Sequence, residues 1–338
     1  MKNIKLILGI ALITFIFSNC KNNERNKVDN SYKEIKIAFN TWIGYSSFYI
    51  AEKEGIFKKY NLNVSTSIIE PLAEKNAGII RGDLDGMGGT YDSGIISAAS
   101  GVKGSIVMAF DRSNGTDGIL VSDSINSIID LKGKSIAVEE GFVGHFFLLY
   151  VLDKEGISPN EVNIIPMSTD QAGTAFASGK VDVAVTWEPL LSSALKRRNA
   201  KILVSSADIE PILADALFLS NKFIEERPID TKNLVKALVE ANELWINNPE
   251  KYLKFVADKW KWPVNEISET LKTVELYGIE SQLKLFGTNN NKGELYAILD
   301  KANQLWYKSG VTKRLVNVDS IINPIFVNNL NKYLQPQE

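Results

Sequence analysis

Short apolar runs alternate with amphipathic segments through the first two thirds of the chain. Residues 181–185, Val-Asp-Val-Ala-Val, are typical of a strand covered on both faces, and the amphipathic segments carry apolar residues at helical spacing and end at glycine. This alternation predicts an α/β fold. The predicted strands are residues 35–39, 62–69, 84–88, 102–110, 119–122, 135–138, 162–166, 181–185, 201–204 and 214–220, and the predicted helices between them include residues 46–55, 71–82, 143–154, 169–178 and 189–198.

One structural unit occurs twice, at residues 81–90 and again at 178–189. Each copy has a helix closed by glycine, a short strand holding an aspartate, and a polar loop. Because each crossover unit needs its own sheet to cover, the repeat predicts two similar lobes with a cleft between them. The alternative is coincidence, since this connection is common in α/β proteins.

The crossings between the lobes are predicted from polarity. Residues 111–118, Asp-Arg-Ser-Asn-Gly-Thr-Asp-Gly, have turn composition and are too polar for a core, so we expect them to form the first crossing, with residues 214–220 returning. Helical spacing dominates after residue 230, and these helices should cover the first lobe. Trp245, Trp260, Trp262 and Trp306 are interpreted as packing residues. The predicted lobes are residues 35–117 with 214–338, and residues 118–213.

The N-terminus has the layout of a secretion signal. Lys2 and Lys5 precede an apolar run at residues 6–17 that is short for a membrane span. The run stops at Cys20, the chain's single cysteine, and resembles the lipobox of bacterial lipoproteins. The resemblance implies a signal peptide at residues 1–20, lipidation of Cys20, and an exported protein anchored to the membrane through a polar tether at residues 21–34. A plain signal peptide or anchor with an incidental cysteine is the alternative.

Composition narrows the function classes. The chain has 338 residues, 45% of them hydrophobic and 23% charged, and its formal net charge is -2, so no broad basic face points to nucleic acid. A single cysteine rules out a disulfide framework, and a single histidine, His145, makes a zinc site improbable. Residues 111–117 differ from a calcium loop because Gly115 takes the fifth position. We expect neither metal nor cofactor.

Several motifs carry a family resemblance. Trp42-Ile43-Gly44-Tyr45, the Ala51-Glu52-Lys53-Glu54-Gly55 segment and the run from Gly179 to Trp187-Glu188-Pro189 resemble solute-binding lipoproteins of ABC importers, in the group serving nitrate, taurine, alkanesulfonates and thiamine-pyrimidine precursors. The resemblance implies a type II periplasmic-binding-protein fold, with two Rossmann-like lobes that close by a hinge and C-terminal helical cladding. It also implies a small-molecule solute, an ABC permease as partner, and a monomer.

Three helices should begin where strands end. Their first turns, near residues 44–47, 90–93 and 141–144, offer free backbone amides, and Thr90, Asp92 and Ser93 have side chains that can cap a helix. Glycines at these turns would let a ligand approach the backbone. Each helix start is therefore a candidate receiver for a carboxylate, sulfonate or phosphate group, although glycines that only satisfy turns are an equally good explanation.

Five acids fall in the same loops, which disfavours a bare oxyanion as ligand because burying like charges together is costly. We therefore expect an amine-bearing or zwitterionic solute, taurine-like or pyrimidine-like, with Glu188 as its counter-charge and aromatic walls around it. Helix caps or salt bridges between the lobes are the alternative for each acid, and His145 can equally be structural. The candidate ligand-binding residues are Trp42, Gly44, Tyr45, Gly89, Thr90, Asp92, Asp111, Ser113, Asn114, Asp117, Glu140, Gly141, Gly144, His145, Trp187 and Glu188.

The leading hypothesis is a binding protein that delivers a small organic solute to a permease, and it requires Trp42, Thr90, Gly141 and Glu188 to face one gap. An enzyme on the same fold is the first rival, since pyrimidine-synthesising and menaquinone-pathway enzymes resemble these binding proteins. Export disfavours an enzyme, and so does the lack of a recognisable nucleophile motif. General acid-base catalysis would then depend on His145 alone. A ligand sensor for a membrane partner is the second rival.

Overall fold

The chain folds into two α/β lobes that are joined by two crossings. The computed structural model describes residues 32–288, 291–328 and 330, so the predicted signal peptide and Cys20 lie outside the described residues. The first lobe contains the first and the last of the described elements, while the second lobe is one continuous insertion. The predicted α/β fold with two lobes is confirmed by these two sheets.

The first lobe alternates strands and helices up to the first crossing. Its elements in chain order are β1 (Ile35–Phe39), α1 (Ser46–Lys53), α2 (Ile56–Lys59), β2 (Val64–Ile68), α3 (Leu72–Arg81), β3 (Gly86–Thr90), α4 (Tyr91–Ala99) and β4 (Gly104–Ser113). The second lobe continues with β5 (Asp117–Ser122), β6 (Ser135–Val138), α5 (Val143–Lys154), β7 (Asn163–Pro166), α6 (Thr169–Ala177), β8 (Val183–Trp187), α7 (Leu190–Ala194) and β9 (Ala200–Ser205).

The chain then returns to the first lobe and becomes mostly helical. The returning elements are β10 (Ala214–Ser220), α8 (Asn221–Glu226), α9 (Pro228–Asn247), α10 (Pro249–Trp260), α11 (Val264–Leu271), β11 (Val274–Leu276), α12 (Ile279–Phe286), β12 (Gly287–Thr288), β13 (Asn291–Lys292) and α13 (Glu294–Lys308). Short 3-10 helices at Ile43–Tyr45, Ile128–Leu131, Pro159–Glu161, Ser206–Asp208, Val318–Ser320 and Pro324–Phe326 complete the fold.

The sheet of the first lobe has six strands in the order β11-β4-β10-β3-β1-β2. β1 lies parallel to β2 and β3, whereas β10 runs antiparallel to both β3 and β4. Glycines in β3 allow this packing, because a Cβ atom at Gly88 would lie 2.6 Å from the ring of Tyr45. The glycine-rich strand therefore brings the 3-10 helix after β1 close to the sheet.

The sheet of the second lobe has five strands in the order β7-β6-β8-β5-β9. β6 is parallel to β7 and β8, and β5 is antiparallel to β8 and β9. Residues 114–116 carry the chain from β4 to β5, and residues 206–213 carry it from β9 back to β10. β5 and β10 are thus the two strands that follow the crossings.

The polar run at residues 111–118 corrects a sequence-based expectation. It is not a surface turn, because Asp111, Thr116 and Asp117 are buried and all but three of its residues belong to β4 or β5. Partners far away in sequence make burial possible: the Thr116 hydroxyl donates to the Thr273 carbonyl at 2.5 Å, and the hydroxyls of Ser113 and Ser206 lie 2.5 Å apart.

Three smaller expectations also need correction. Trp187 is the last residue of β8 rather than part of a loop, and the helix predicted over residues 189–198 is reduced to Leu190–Ala194. No side chain caps the start of α4; the Ser93 hydroxyl instead donates to the Thr90 carbonyl at 2.6 Å. The residue types expected to cap were present, but the local geometry turns them elsewhere.

The C-terminal helices cover the first lobe, as expected, and one of them also reaches the second. α9 packs against α1, whereas α13 packs against both α4 and α5. Trp306 of α13 lies 5.8 Å from the ring of Phe146, and Lys308 pairs with Asp153 at 3.2 Å. Within the described ranges, no helix has the length and apolar content needed to cross a membrane.

Candidate functional site

A cavity of about 40 Å³ lies between the lobes at the ends of their strands. Both lobes and Leu213 at the end of the return crossing contribute to its walls, which combine polar, acidic and aromatic side chains. A buried water needs roughly 10–15 Å³ of cavity volume counted in the same way, so this cavity has room for only a few non-hydrogen atoms. The lining residues are Asn40, Thr41, Trp42, Thr90, Ser113, Asp117, Phe142, Val143, Trp187, Leu213, Ala214 and Asp215.

The wall from the first lobe contains two acids on neighbouring strands. Asp215 of β10 lies directly opposite Asp111 of β4 in the antiparallel pairing, and opposite Thr90 of β3 on its other side. Both carboxylates are buried and accept hydrogen bonds from aromatic side chains. Trp42 Nε1 donates to the Asp111 oxygens at 3.2 and 3.3 Å, and the Tyr45 hydroxyl donates to Asp215. Like charges opposite each other destabilise a sheet, so this pair is unfavourable when both acids are ionised.

Gly44 makes the contact between Trp42 and Asp111 possible. A Cβ atom at this position would lie 1.7 Å from Asp111 Oδ2 and 2.7 Å from Trp42 Nε1. Any side chain larger than hydrogen would therefore separate the indole from the carboxylate. Gly44 does not line the cavity, and its observed role is to let these two side chains meet.

The wall from the second lobe is aromatic and carries one acid. Asp117, the first residue of β5, lies opposite Trp187 of β8 in the antiparallel pairing. The rings of Trp187 and Phe142 lie 5.7 Å apart with an interplanar angle of 36°. Phe142 immediately precedes α5, so the end of β8 and the start of a helix together form this wall.

Burial sets the protonation of the acids. Burial raises the pKa of Asp117 to about 7, partly offset by the Ser113 hydroxyl and reinforced by the charge of Asp215. Burial and the facing charge of Asp215 also raise the pKa of Asp111 well above its usual range, and burial raises the pKa of Asp215. The cavity acids are therefore partly protonated near neutral pH when no cation is close to them.

One buried lysine sits behind this wall. Lys75 of α3 is 2% exposed, and its ammonium group lies 3.3 Å from the Gly88 carbonyl and 3.4 Å from Asn40 Oδ1. Burial lowers the pKa of Lys75 to about 8, an effect partly offset by the charges of Asp215 and Glu70. Lys75 contributes to the field at Asp215 but does not line the cavity.

Asp92 is a fourth buried acid next to the cavity. It lies in the first turn of α4, is 1% exposed, and follows two residues after the lining residue Thr90. Burial raises the pKa of Asp92 to about 6, and the charge of Asp117 acts in the same direction. The acids near the cavity thus interact with one another over both lobes.

The structure brings only some of the predicted site residues to the cavity. Trp42, Thr90, Ser113, Asp117 and Trp187 line it, and Asp111 and Tyr45 support it from behind. The expectation that four named residues would face one gap holds for Trp42 and Thr90 only; the lining residues of the second lobe are neighbours of Gly141 and Glu188. The remaining candidates outside the lining are Gly44, Gly89, Asp92, Asn114, Glu140, Gly141, Gly144, His145 and Glu188.

Glu188 is placed differently from its predicted role. Its carboxylate accepts hydrogen bonds from the backbone N–H of Ser192 at 3.1 Å and from the Ser192 hydroxyl at 2.7 Å, so it binds its own α7. Glu140 is exposed. Of the five predicted acids, these two are the ones that local backbone geometry turns away from the cavity.

Glycines predicted to admit a ligand are occupied by protein contacts. A Cβ atom at Gly89 would lie 2.7 Å from the Ser93 hydroxyl, and one at Gly144 would lie 3.3 Å from Val185. Gly141 has a φ of +77° with open space beside it, so it serves the backbone turn before α5. Their ligand contacts stay a prediction, and the observed roles are close packing and turn geometry.

His145 of α5 does not line the cavity. Its Nδ1 accepts from the backbone N–H of Gly141 at 3.2 Å, and its ring lies 5.4 Å from that of Trp306. Burial lowers the pKa of His145 to about 4, so the ring is neutral at physiological pH. Among the described residues, no group of three or more His, Cys, Asp or Glu side chains is arranged to hold a metal ion.

Sequence reasoning missed Asp215. It lies inside the apolar strand Ala-Asp-Ala-Leu-Phe-Leu-Ser, which was interpreted only as the return crossing. A charged residue in a run that is otherwise buried is the signal that could have identified it, because an unpaired charge is rarely placed in a core without a function. The other missed lining residues are Asn40, Thr41, Phe142, Val143, Leu213 and Ala214.

Comparisons with known proteins agree with this architecture. A putative binding protein from Brucella abortus (strain 2308) is 26% identical over 260 residues, covering 76% of this chain and 81% of that protein. A putative aliphatic sulfonates-binding protein from Bacillus subtilis (strain 168) is 30% identical over 242 residues, covering 70% of this chain and 72% of that protein.

Solved structures share the fold. The periplasmic aliphatic sulphonate binding protein SsuA from Escherichia coli superposes with a TM-score of 0.72 at 19% sequence identity, over 87% of this chain and 92% of that one. The predicted periplasmic-binding-protein fold is confirmed by this match. The model of the NMT1-like family matches residues 29–257, more than half of the chain, and the predicted family resemblance is thereby confirmed. The chain belongs to the NMT1-like family.

Proposed function

We propose that this protein is the extracytoplasmic solute-binding component of an ABC importer, which captures a small organic solute between its lobes by hinge closure. The carrying observation is the cavity at the strand ends, walled by residues of both lobes. In a hinged protein of two lobes, a ligand that contacts both lobes favours the closed state. The relatives described as binding proteins support the same role.

The solute that the cavity favours carries an amine, either as a simple base or in a zwitterion. Asp117 and Asp215 line the cavity, and Asp111 lies directly behind it. No lysine, arginine or histidine is among the described residues that line it. Because burying a negative group next to unpaired carboxylates is costly, a bare sulfonate or nitrate fits poorly.

Binding is favoured over catalysis. His145, the chain's one histidine, has its Nδ1 occupied by a backbone amide and does not line the cavity. A general base must reach the proton that it removes directly or through one water. The enzyme alternative would gain support from turnover of the bound compound, and the sensor alternative from binding without uptake.

The test begins with the mature protein, residues 21–338. The small molecule released on denaturation of the purified protein would be identified by mass spectrometry, and its uptake measured in cells with and without the gene. We expect uptake to depend on the gene, and small-angle scattering to show a more compact protein with the compound bound. The proposal would be contradicted if the purified protein released no small molecule, or if the released compound were taken up equally with and without the gene.

Membrane attachment is part of the proposal and needs its own test. Cys20 is expected to carry lipid as the first residue that remains after removal of residues 1–19. A Cys20→Ser variant should move from the membrane fraction to the soluble exported fraction, because lipid chains supply the anchoring free energy. A variant that stays with the membrane would contradict lipidation while leaving solute binding intact.

A further inference from the structure

We infer that the solute is an organic cation with N–H donors, bound between Asp117 and Asp215, and that it enters the cavity in exchange for protons. This inference rests on the proposed function and narrows it. An amine-bearing solute could carry a second, acidic group, whereas the cavity described above favours one without it. It also assigns the counter-charge to Asp117 and Asp215, in place of Glu188.

The position of the two acids follows from the crossings. Asp117 is the first residue of β5, immediately after the first crossing, and Asp215 is the second residue of β10, immediately after the return crossing. Both line the cavity, and both are more than nine-tenths buried. Rotation of the lobes about these crossings would therefore change the environment of both acids together.

Asp215 has an acceptor available for a ligand. One of its oxygens accepts from the Tyr45 hydroxyl, while the other accepts no hydrogen bond from any residue in the described ranges. A buried carboxylate oxygen without a donor costs free energy unless a ligand supplies one. The ligand should accordingly bring an N–H group rather than a quaternary nitrogen, which has no donor.

The charge balance excludes an acidic group on the ligand. Four buried acids, Asp92, Asp111, Asp117 and Asp215, interact electrostatically around the cavity, and Lys75 is the buried cation near them. A sulfonate or carboxylate would add a further negative charge where no lining side chain among the described residues is basic. A monocation instead reduces the imbalance.

Aromatic faces complete the cation site. The indole N–H of Trp42 is directed to Asp111, so the rest of its ring is available to the cavity, and the rings of Phe142 and Trp187 stand on the other lobe. A cation near aromatic faces is stabilised most when it is desolvated. Closing the lobes would remove water from the nitrogen and place it among these rings.

Proton exchange follows from the buried acids. With the cavity free of cations, burial holds the pKa of Asp117 at about 7, so a proton is partly bound at neutral pH. A bound cation favours the ionised carboxylate, and the displaced proton leaves to solvent. Affinity for the cation should therefore rise with pH up to about 7 and change little above it.

The experiment uses the mature full-length protein and probes that share one two-carbon skeleton. Ethanolamine supplies the cation, taurine the zwitterion, isethionate the anion and ethylene glycol the neutral form, with methylguanidinium as a second cation. Thermal shifts would be measured at pH 6 and pH 8 with each probe at up to about 10 mM, a range that reveals even weak binding. We expect a shift with a cation, larger at pH 8, and none with isethionate.

Variants assign the counter-charge. Asp117→Asn and Asp215→Asn should each weaken cation binding at least about 30-fold, since removing one partner of a buried charge pair is costly. Asp258→Asn, whose carboxylate pairs with Lys254 within α10 and not with the other lobe, should leave cation binding unchanged. Each variant's own melting temperature shows that it is folded, and Asn at either cavity position removes a buried charge without changing shape.

Every outcome bears on the inference. A rise in melting temperature with a cation that is lost in both Asp117→Asn and Asp215→Asn supports it. Equal or stronger shifts with taurine or isethionate, no shift with either cation, or loss of binding in Glu188→Gln but not in Asp215→Asn would overturn it. If a neutral or anionic compound co-purifies and is taken up, the importer function stands and this inference fails.

Discussion

Two groups of acids lie where the lobes meet, and they differ in whether basic side chains pair with them. On the outer side, Asp153 of α5 is held by Lys301 and Lys308 of α13, and these lysines lower its pKa. In the cavity, Asp111, Asp117 and Asp215 are buried with neutral donors or none, and burial raises their pKa values. The chain pairs an acid at one contact between the lobes and leaves the others unpaired.

The paired acid, Asp153, belongs to a contact that holds the lobes together, whereas the unpaired acids belong to a site where a ligand can bind. Asp153 is satisfied by the protein itself, so it contributes stability without a solute. The cavity acids reach full compensation only when a positive group enters between them. A binding site of this kind is expected to lower the stability of the free protein in return for affinity.

The largest expected effect comes from Gly44, which allows Trp42 to reach Asp111. Gly44→Ala should lower the free energy of unfolding by about 3 kcal/mol, because overpacking forces a backbone or side-chain shift. The new methyl group would overlap the Asp111 carboxylate, since the distance would be 1.7 Å. Chemical denaturation followed by circular dichroism measures the change.

A matched glycine separates overpacking from backbone strain. Gly82 ends α3 with a φ of +81° and open space beside it. Gly82→Ala should lose only about 1 kcal/mol, the cost of a left-handed conformation. Equal losses in both variants would show that the Trp42–Asp111 contact does not depend on Gly44.

The next effect has the opposite sign. Asp111→Asn should raise the free energy of unfolding at pH 8 by roughly 1–2 kcal/mol, the equivalent of about one unit of pKa shift. Asp111 faces Asp215 across the strands, and its raised pKa means that ionisation on raising the pH costs stability in the native state but not in the unfolded one. Urea denaturation at several pH values measures this.

The pH dependence provides the control for Asp111→Asn. Below about pH 4 both states of the wild-type protein hold the proton, so the gain should disappear there. A gain that is the same at pH 4 and pH 8 would indicate better packing rather than relief of charge repulsion. A loss at pH 8 would contradict the account of an uncompensated acid.

The smallest effect is expected at the outer pair. Asp153→Asn should lower the free energy of unfolding at pH 7 by about 0.5–1 kcal/mol, because its partners are partly exposed and screened by solvent. The pKa of Asp153 is lowered in the native state, so this stability is present above the usual carboxyl pKa and is lost as the pH falls below it. Denaturation at pH 7 and pH 3 tests the sign, and high salt should reduce the effect.

Local patterns predicted the fold well because local patterns generate it. The predicted strand at residues 35–39 and helix at residues 143–154 have the same ends in the structure, since apolar spacing and flanking glycine determine both. The two lobes followed from repetition of one unit. Residues 114–116 of the polar run at 111–118 connect the two sheets, but the burial of the run was missed because its partners, such as Ser206 and Thr273, are distant in sequence.

The candidate site was predicted less completely for the same reason. Trp42 follows β1, and Thr90 and Trp187 end β3 and β8, so the rule that ligands bind at the carboxyl ends of strands found them. Asp215 comes from a strand that runs antiparallel to its neighbours, so that rule does not select it. Glu188 satisfies the rule, but a neighbouring serine captures its carboxylate, which no spacing in the sequence reveals.

The exchange of protons on binding tests the central claim most directly. Calorimetric titration with the cation that gives the largest thermal shift, carried out at pH 7 in two buffers of different ionisation enthalpy, measures the number of protons released. The account predicts release of roughly one proton per bound cation, about half from each of Asp117 and Asp215, whose pKa values are about 7, and the release should fall by about half in Asp117→Asn. Binding without proton release, or with proton uptake, would contradict it.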